Sequence, residues 1–302
     1  MFEDVVGNDK IKQTLIQSIN LNKTSHSYLF VGIAGIGKRL IANEMAKSIL
    51  CLNAREYCNK CKSCIEFDSK NNPDFIFIEP TNGSIKIEQI REMQKIVSEK
   101  PIISSNKVCI INDADLMTVE AQNCLLKTLE EPPEYITIFL IGTNESNFLA
   151  TIKSRCTIMH FNRINEDEIK KYLEKNTNKQ LEINKVIEIA GGSIGKAINI
   201  KDKSEIYTSL EDIINNIEKY DIIQLLKKAD FIYKLKDDIF DILEYINVLL
   251  IKKANTNYKY ANCIEIIEET KKRLKLNSNY NMSIDYMLFH IWEEVNEKYN
   301  RG

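Results

Sequence analysis

The stretch Ser27–Leu40, SYLFVGIAGIGKRL, constrains this chain more than any other. A run of aromatic and β-branched residues ends in Gly32. Gly35, Gly37 and Lys38 follow, and then residues with helical spacing. Strand, glycine-rich turn and helix in that order are the setting of a phosphate-binding loop, where backbone N–H groups and the helix N-terminus cradle phosphate oxygens. A strand that feeds a helix in this way needs parallel neighbours, and a parallel sheet needs both faces covered. Gly32, Gly37 and Lys38 fit G-x-x-x-x-G-K-[ST] up to its last position, where Arg39 replaces the hydroxyl that holds magnesium. A guanidinium has no lone pair for a metal. Left about 5 Å from a divalent cation at an effective dielectric near 20, it would be repelled by roughly 6 kcal/mol.

Further strand-like runs follow at Asp74–Pro80, Lys107–Asp113, Ile136–Gly142 and Cys156–Phe161, with helix-period segments between them. One such helix, read from Leu116 to Glu131, stops at Pro132-Pro133, because the residue before proline is pushed out of the helical region. This alternation predicts an α/β domain with a parallel sheet over residues 1–162. The strand signals then end. Three short helices are expected over 163–203, the last opened by GGSIGKAINI, and an all-helical region over 204–302. In that region Ile284, Met287, Leu288, Ile291, Trp292 and Val295 form one apolar stripe, the mark of a core helix.

The second half of a nucleotide site should be a strand ending in an Asp for the metal and a Glu for the water. The strand here ends Asn112-Asp113. In one register Asn112 takes the metal position without its charge. In the other Asp113 is the ligand and Ala114 stands where the Glu should be. Either register lacks a member. Lys38 and the loop N–H groups remain to hold ATP or ADP, the magnesium site is degenerate, and efficient hydrolysis is not expected.

Cysteine carries the most specific local signal. Cys51, Cys58, Cys61 and Cys64 have the spacing C-x6-C-x2-C-x2-C. Four thiolates with two tight C-x2-C turns suit tetrahedral, structural zinc, so a zinc module is expected at about 51–64. An iron–sulfur cluster is the lesser alternative. Cys109, Cys124, Cys156 and Cys263 sit in apolar contexts and read as buried. With a net charge of −2, the chain has no overall basic field for nucleic acid. No apolar run is long enough to span a bilayer, and the acidic start, MFEDVVGNDK, is unlike a signal peptide. The remaining charged feature is Ser154-Arg155-Cys156, before the last strand. His26, His160 and His290 are scattered.

FEDVVGND, HSYLFVGIAGIGK, the four-cysteine insertion, NPDFIFIEP, LMTVEAQNCLLKTLEEPP and IKSRC, in that order, resemble the bacterial clamp-loader AAA+ subunits. GGSIGKA and LNSNYNMSIDYML extend the resemblance over nearly the whole chain. It implies an AAA+ α/β domain, a small helical lid and a helical collar. The degenerate loop makes the chain similar to the delta-prime type of DNA polymerase III subunit, which does not hydrolyse ATP. The alternative is an active ATPase of the gamma/tau type. The resemblance further implies a five-subunit ring with gamma/tau and delta subunits. That ring loads the sliding clamp on primer-template DNA in the bacterial cytoplasm, associated with the nucleoid during replication. It assigns Arg155 the part of an arginine finger reaching a neighbour's ATP, and Lys196 the position of the lid's nucleotide-sensing residue.

Overall fold

The computed structural model describes residues 1–3, 5–53, 56–175, 183–276 and 278–296. Five strands form one parallel sheet: β1 (Ser27–Val31), β2 (Phe75–Ile78), β3 (Lys107–Ile111), β4 (Ile136–Gly142) and β5 (Thr157–His160). Their order is β2-β3-β4-β1-β5. The helices are α1 (Asp9–Asn20), α2 (Lys38–Leu50), α3 (Lys62–Asp68), α4 (Ile87–Ser98), α5 (Val119–Glu130), α6 (Ala150–Lys153), α7 (Glu166–Lys175), α8 (Ile183–Ala190), α9 (Ile194–Asp202), α10 (Ser204–Asn215), α11 (Ile222–Tyr233), α12 (Ile239–Thr256), α13 (Cys263–Lys275) and α14 (Tyr280–Val295). Two compact units divide the chain, Met1–Ile198 and Asn199–Gly302, with the boundary inside α9. The expected parallel α/β domain followed by helices is the fold found.

The central strands β1, β3 and β4 are buried along their whole length, which explains their continuous apolar runs. Side-chain alternation sorts them onto two faces. Leu29, Val31, Cys109, Ile111, Ile138 and Leu140 pack with Ile90, Met93 and Val97 of α4 and Ala121, Leu125 and Leu129 of α5. The opposite face carries Tyr28, Phe30 and Phe139. Tyr28 and Phe139 stack at 5.1 Å, and Phe30 meets Phe139 edge-on at 5.5 Å. On that side α2 packs against β3 and β4.

Buried polar groups are satisfied locally. The Asp74 carboxylate, fully buried before β2, accepts the N–H groups of Ile102, Ile103 and Ser104 at 2.7 Å each. Buried Lys107 donates to the Ile96 carbonyl at 2.6 Å, capping the end of α4. Helix α5 begins at Val119, not Leu116, because the Thr118 hydroxyl accepts the Ala121 N–H and caps it there. Ala114–Leu116 form a separate 3-10 turn.

In the second unit, α14 packs against α11 and α13. Ile284, Met287, Leu288, Ile291, Trp292 and Val295 are all buried, as their spacing predicts. Cross-helix hydrogen bonds fix the packing: Tyr245 to Glu211 at 2.7 Å, Tyr260 to Glu218 at 2.6 Å, and the Trp292 indole N–H to the Tyr220 carbonyl at 2.8 Å. Part of the stretch expected as the second of the three short helices, Leu181 and Glu182, lies outside the described residues, as does Asn277. No helix among the described residues is long and apolar enough to cross a membrane.

Candidate functional site

Because all five strands are parallel, the first unit has two chemically distinct ends. At the carboxyl ends of β1, β3 and β4 lie the glycine-rich loop and the acidic residues. This is where ligands bind in open α/β sheets. Lys38 opens α2, and its ammonium donates to the carbonyls of Gly32 at 2.6 Å and Ile33 at 2.7 Å. Burial pushes its pKa down to about 8, against the opposing pull of Asp113 and Asp115. The Arg39 guanidinium carbon lies 4.5 Å from the centroid of the Phe77 ring on β2, and its charge still acts on Asp113.

Asp113 sits just past β3 with φ at +49°, and its carboxyl is raised by burial and by the charge of Asp115. The Asn112 side-chain amide donates to it at 2.9 Å. Asp113 is thus the carboxylate facing Lys38, with Asn112 as its neighbour and support. Asp115, absent from the sequence reading, is nearly buried. Its carboxylate accepts the Thr143 N–H at 3.1 Å, the Thr143 hydroxyl at 2.8 Å and the Asn144 N–H at 3.0 Å, all from the loop after β4. The pattern Asp113-Ala114-Asp115 was the signal available for it. These residues do not fit a magnesium site well. Position 39 offers no oxygen, and Asp115 is taken up by the β4 loop.

The GGSIGKA segment lies against this loop. The Ser193 hydroxyl donates to the Ala34 carbonyl at 2.9 Å, and the Gly195 N–H to the Gly35 carbonyl at 2.8 Å. The approach requires glycine. Gly35 has φ at +74°, and a Cβ there would lie 2.4 Å from the Ser193 oxygen, while one on Gly195 would lie 2.9 Å from the Gly35 Cα. Gly195, one residue before the expected Lys196, is the residue whose backbone meets the loop. The Lys196 N–H is held by the Ser193 hydroxyl at 3.2 Å.

The amino ends of the strands carry other chemistry. Helix α2 returns there and ends at Cys51, and Cys61 caps the start of α3 with its sulfur. The sulfurs of Cys51, Cys58, Cys61 and Cys64 all lie within 4.8 Å of one another, with Cys51 and Cys61 at 3.9 Å. Tetrahedral zinc with about 2.3 Å bonds needs sulfurs about 3.8 Å apart, so the set fits. Both C-x2-C turns fold back on themselves. The Cys61 N–H donates to the Cys58 sulfur at 3.3 Å, and the Cys64 N–H to the Cys61 sulfur at 3.5 Å. The N–H groups of Lys60 and Cys61 pull the Cys58 thiol down to about 6, favouring the thiolate, while burial pushes Cys64 up to about 12.

Arg155 also lies at this end, between α6 and edge strand β5. Ser27, the first residue of β1, donates its hydroxyl to the Arg155 carbonyl at 2.6 Å. Lys38 is beyond the far end of the same strand. Five strand residues span about 16 Å, so Arg155 faces away from its own glycine-rich loop. Its Nη2 is 2.8 Å from Glu130, at the end of α5, and Nη1 donates to the Thr151 carbonyl at 2.9 Å.

The family described as "DNA polymerase III, delta subunit" matches residues 7–165. The chain is similar to the tau/gamma subunit of DNA polymerase III from Haemophilus influenzae, 32% identical over 224 residues, covering 72% of this chain and 32% of that protein. It is similar to the delta' subunit from Bacillus subtilis, 39% identical over 153 residues, covering 50% and 46%. Its match spans about a third of the length of the first of these relatives. A crystal structure of a DNA polymerase III gamma-subunit-related protein from Thermotoga maritima shares the fold, with a TM-score of 0.54 at 19% identity, covering 93% of this chain and 98% of that one.

Proposed function

The chain belongs to the DNA polymerase III delta-subunit family of clamp-loader proteins, and from that premise we propose that it is a delta-prime-type subunit that completes a neighbour's ATP site without firing its own. In this reading it joins gamma/tau and delta subunits in a ring and serves clamp loading on primed DNA. The carboxyl-end site keeps the phosphate-binding Lys38 and loop but is a poor magnesium site, with Arg39 turned onto Phe77. Hydrolysis needs the metal to neutralise charge on the phosphates, so this end is a remnant. The four cysteines hold structural zinc, which ties α2 to α3 and supplies no step of the reaction.

The observation that carries the reading is the position of Arg155. It stands at the amino end of the sheet, part-exposed, just before the edge strand and away from its own loop. There a guanidinium can serve a phosphoryl group on another subunit, where charge gathering on the transferring oxygens is met by a planar fork of donors. Turnover by the purified chain tests the proposal. None is expected from the chain alone, with or without DNA, and hydrolysis appears only on assembly with motor subunits. Turnover of about 1 per second by the chain alone would favour the gamma/tau-type reading.

A further inference from the structure

We propose that Glu130 is the positioning residue of Arg155. It holds the guanidinium in place at the amino end of the sheet and gives way to a neighbouring subunit's triphosphate when the two meet. The inference rests on the trans role proposed above for Arg155.

Glu130 closes α5, and Glu131 follows it. A helix C-terminus is the negative end of the helix dipole, so two carboxylates there are unfavourable on local grounds. Pro132 and Pro133 stop the helix from running on to dilute them. What offsets the local cost is Arg155, whose Nη2 lies 2.8 Å from the Glu130 carboxylate.

The guanidinium is oriented from two sides. Its Nη1 donates to the Thr151 carbonyl at 2.9 Å, within α6, and to the hydroxyl of Ser154, which caps that helix, at 3.2 Å, while Glu130 reaches it from α5. The backbone is pinned as well, through Ser27 to the Arg155 carbonyl and the Arg155 N–H to the Ile152 carbonyl at 3.1 Å. Nε has no partner among the described residues. The Glu130 pair is half in solvent, with side-chain exposures of 33% for Arg155 and 49% for Glu130. Such a pair is screened and weak, enough to limit rotamers but easily replaced. A triphosphate oxygen carries more charge and meets the fork in a drier interface. It can take over from the carboxylate while Thr151 and Ser154 keep their hold.

The test uses the reconstituted clamp-loader complex with full-length chain variants and measures DNA- and clamp-stimulated ATPase. Glu130→Gln keeps the size of the side chain and removes its charge. It should lower the stimulated kcat about threefold to tenfold with KM within about twofold, and Glu130→Asp should recover part of the loss. The double variant Glu130→Gln/Arg155→Ala should be no slower than Arg155→Ala alone, because Glu130 acts only through Arg155. In the isolated chain, Glu130→Gln should make the Arg155 Nε–H group more mobile by nitrogen-15 relaxation. If Arg155→Ala slows the complex and Glu130→Gln does not, the positioning role falls and the trans reading stands. If the double variant is slower than Arg155→Ala, Glu130 acts by another route and the proposal is overturned. A fully incorporated Arg155→Ala chain that leaves the rate unchanged overturns both.

Discussion

The two ends of the sheet in the first unit differ in what their charged residues do. At the carboxyl end Lys38 and Asp115 are buried and bonded within the fold. Lys38 is bound to its own loop carbonyls, Asp115 holds the β4 loop, and Arg39 rests on Phe77. At the amino end Arg155 is anchored by its backbone, while its fork stays part-exposed beside Glu130. Four sulfurs close enough together to hold a metal lie at the same end. In the proposed reading the fold keeps the frame of a nucleotide site while its working charge lies at the opposite end of the same strands.

The largest effect is expected at the cysteines. Structural zinc in small modules contributes an apparent 10–16 kcal/mol or so to local folding. Elemental analysis should find one zinc per chain, and less than about a third after Cys64→Ser, the most buried ligand pair member with Cys51. Chelation should loosen the connection from α2 to α3 while the sheet stays folded, since the module is an insertion between α2 and β2. Global unfolding on chelation would break the contrast, because the metal would then support both ends.

A control outside both ends is of middle size. Trp292 is 8% exposed and bonded to Tyr220, so Trp292→Ala should cost about 3–5 kcal/mol. It should weaken ring assembly, seen as a lower melting temperature and a smaller assembled fraction. This separates loss of activity through assembly from loss through chemistry. Unchanged melting and assembly would show that the residue is dispensable to the second unit's packing.

The smallest effect concerns Lys38. Its folded pKa, about 8, lies below the free value because burial disfavours the charged form. That penalty is present below about pH 8 and is relieved as pH rises from there toward the unfolded value. Wild type should therefore gain stability relative to Lys38→Met between pH 7 and pH 9.5, by about 2 kcal/mol from the shift alone and about 1 kcal/mol once solvent screening is allowed for, read from urea midpoints. A gap that stays flat or moves the other way would mean that Lys38 is held by charges rather than buried.

Much of this arrangement was legible in the sequence where the signal is local. Helix α2 spans the residues that its pattern predicted, and the cysteine spacing matched the cluster. Strand β4 has the bounds its sequence predicts, while the other four end one or two residues sooner than expected; after β3 the backbone turns at the positive φ of Asp113. Helix α1 shows little apolar period in the sequence, because only Leu15 and Ile19 are buried along it. The pairings Asp115 with Thr143, Ser193 with Ala34 and Arg155 with Glu130 join residues far apart in the chain, and no local period announces them. Lys196 is the position that the family resemblance assigns to the lid, whereas the contact at the loop depends on the missing side chain of Gly195.

The central claim is that this chain works through Arg155 and not through Lys38. The most direct test assembles the complex with Arg155→Ala or Lys38→Ala chains, verifies equal incorporation, and compares stimulated ATPase with wild type. An arginine finger contributes roughly 10³–10⁵ at the site it serves, so Arg155→Ala should remove that one site's turnover. Arg155→Lys should rescue poorly because it lacks the planar fork, and Lys38→Ala should stay within about twofold of wild type. A rate that collapses with Lys38→Ala and survives Arg155→Ala would contradict the account.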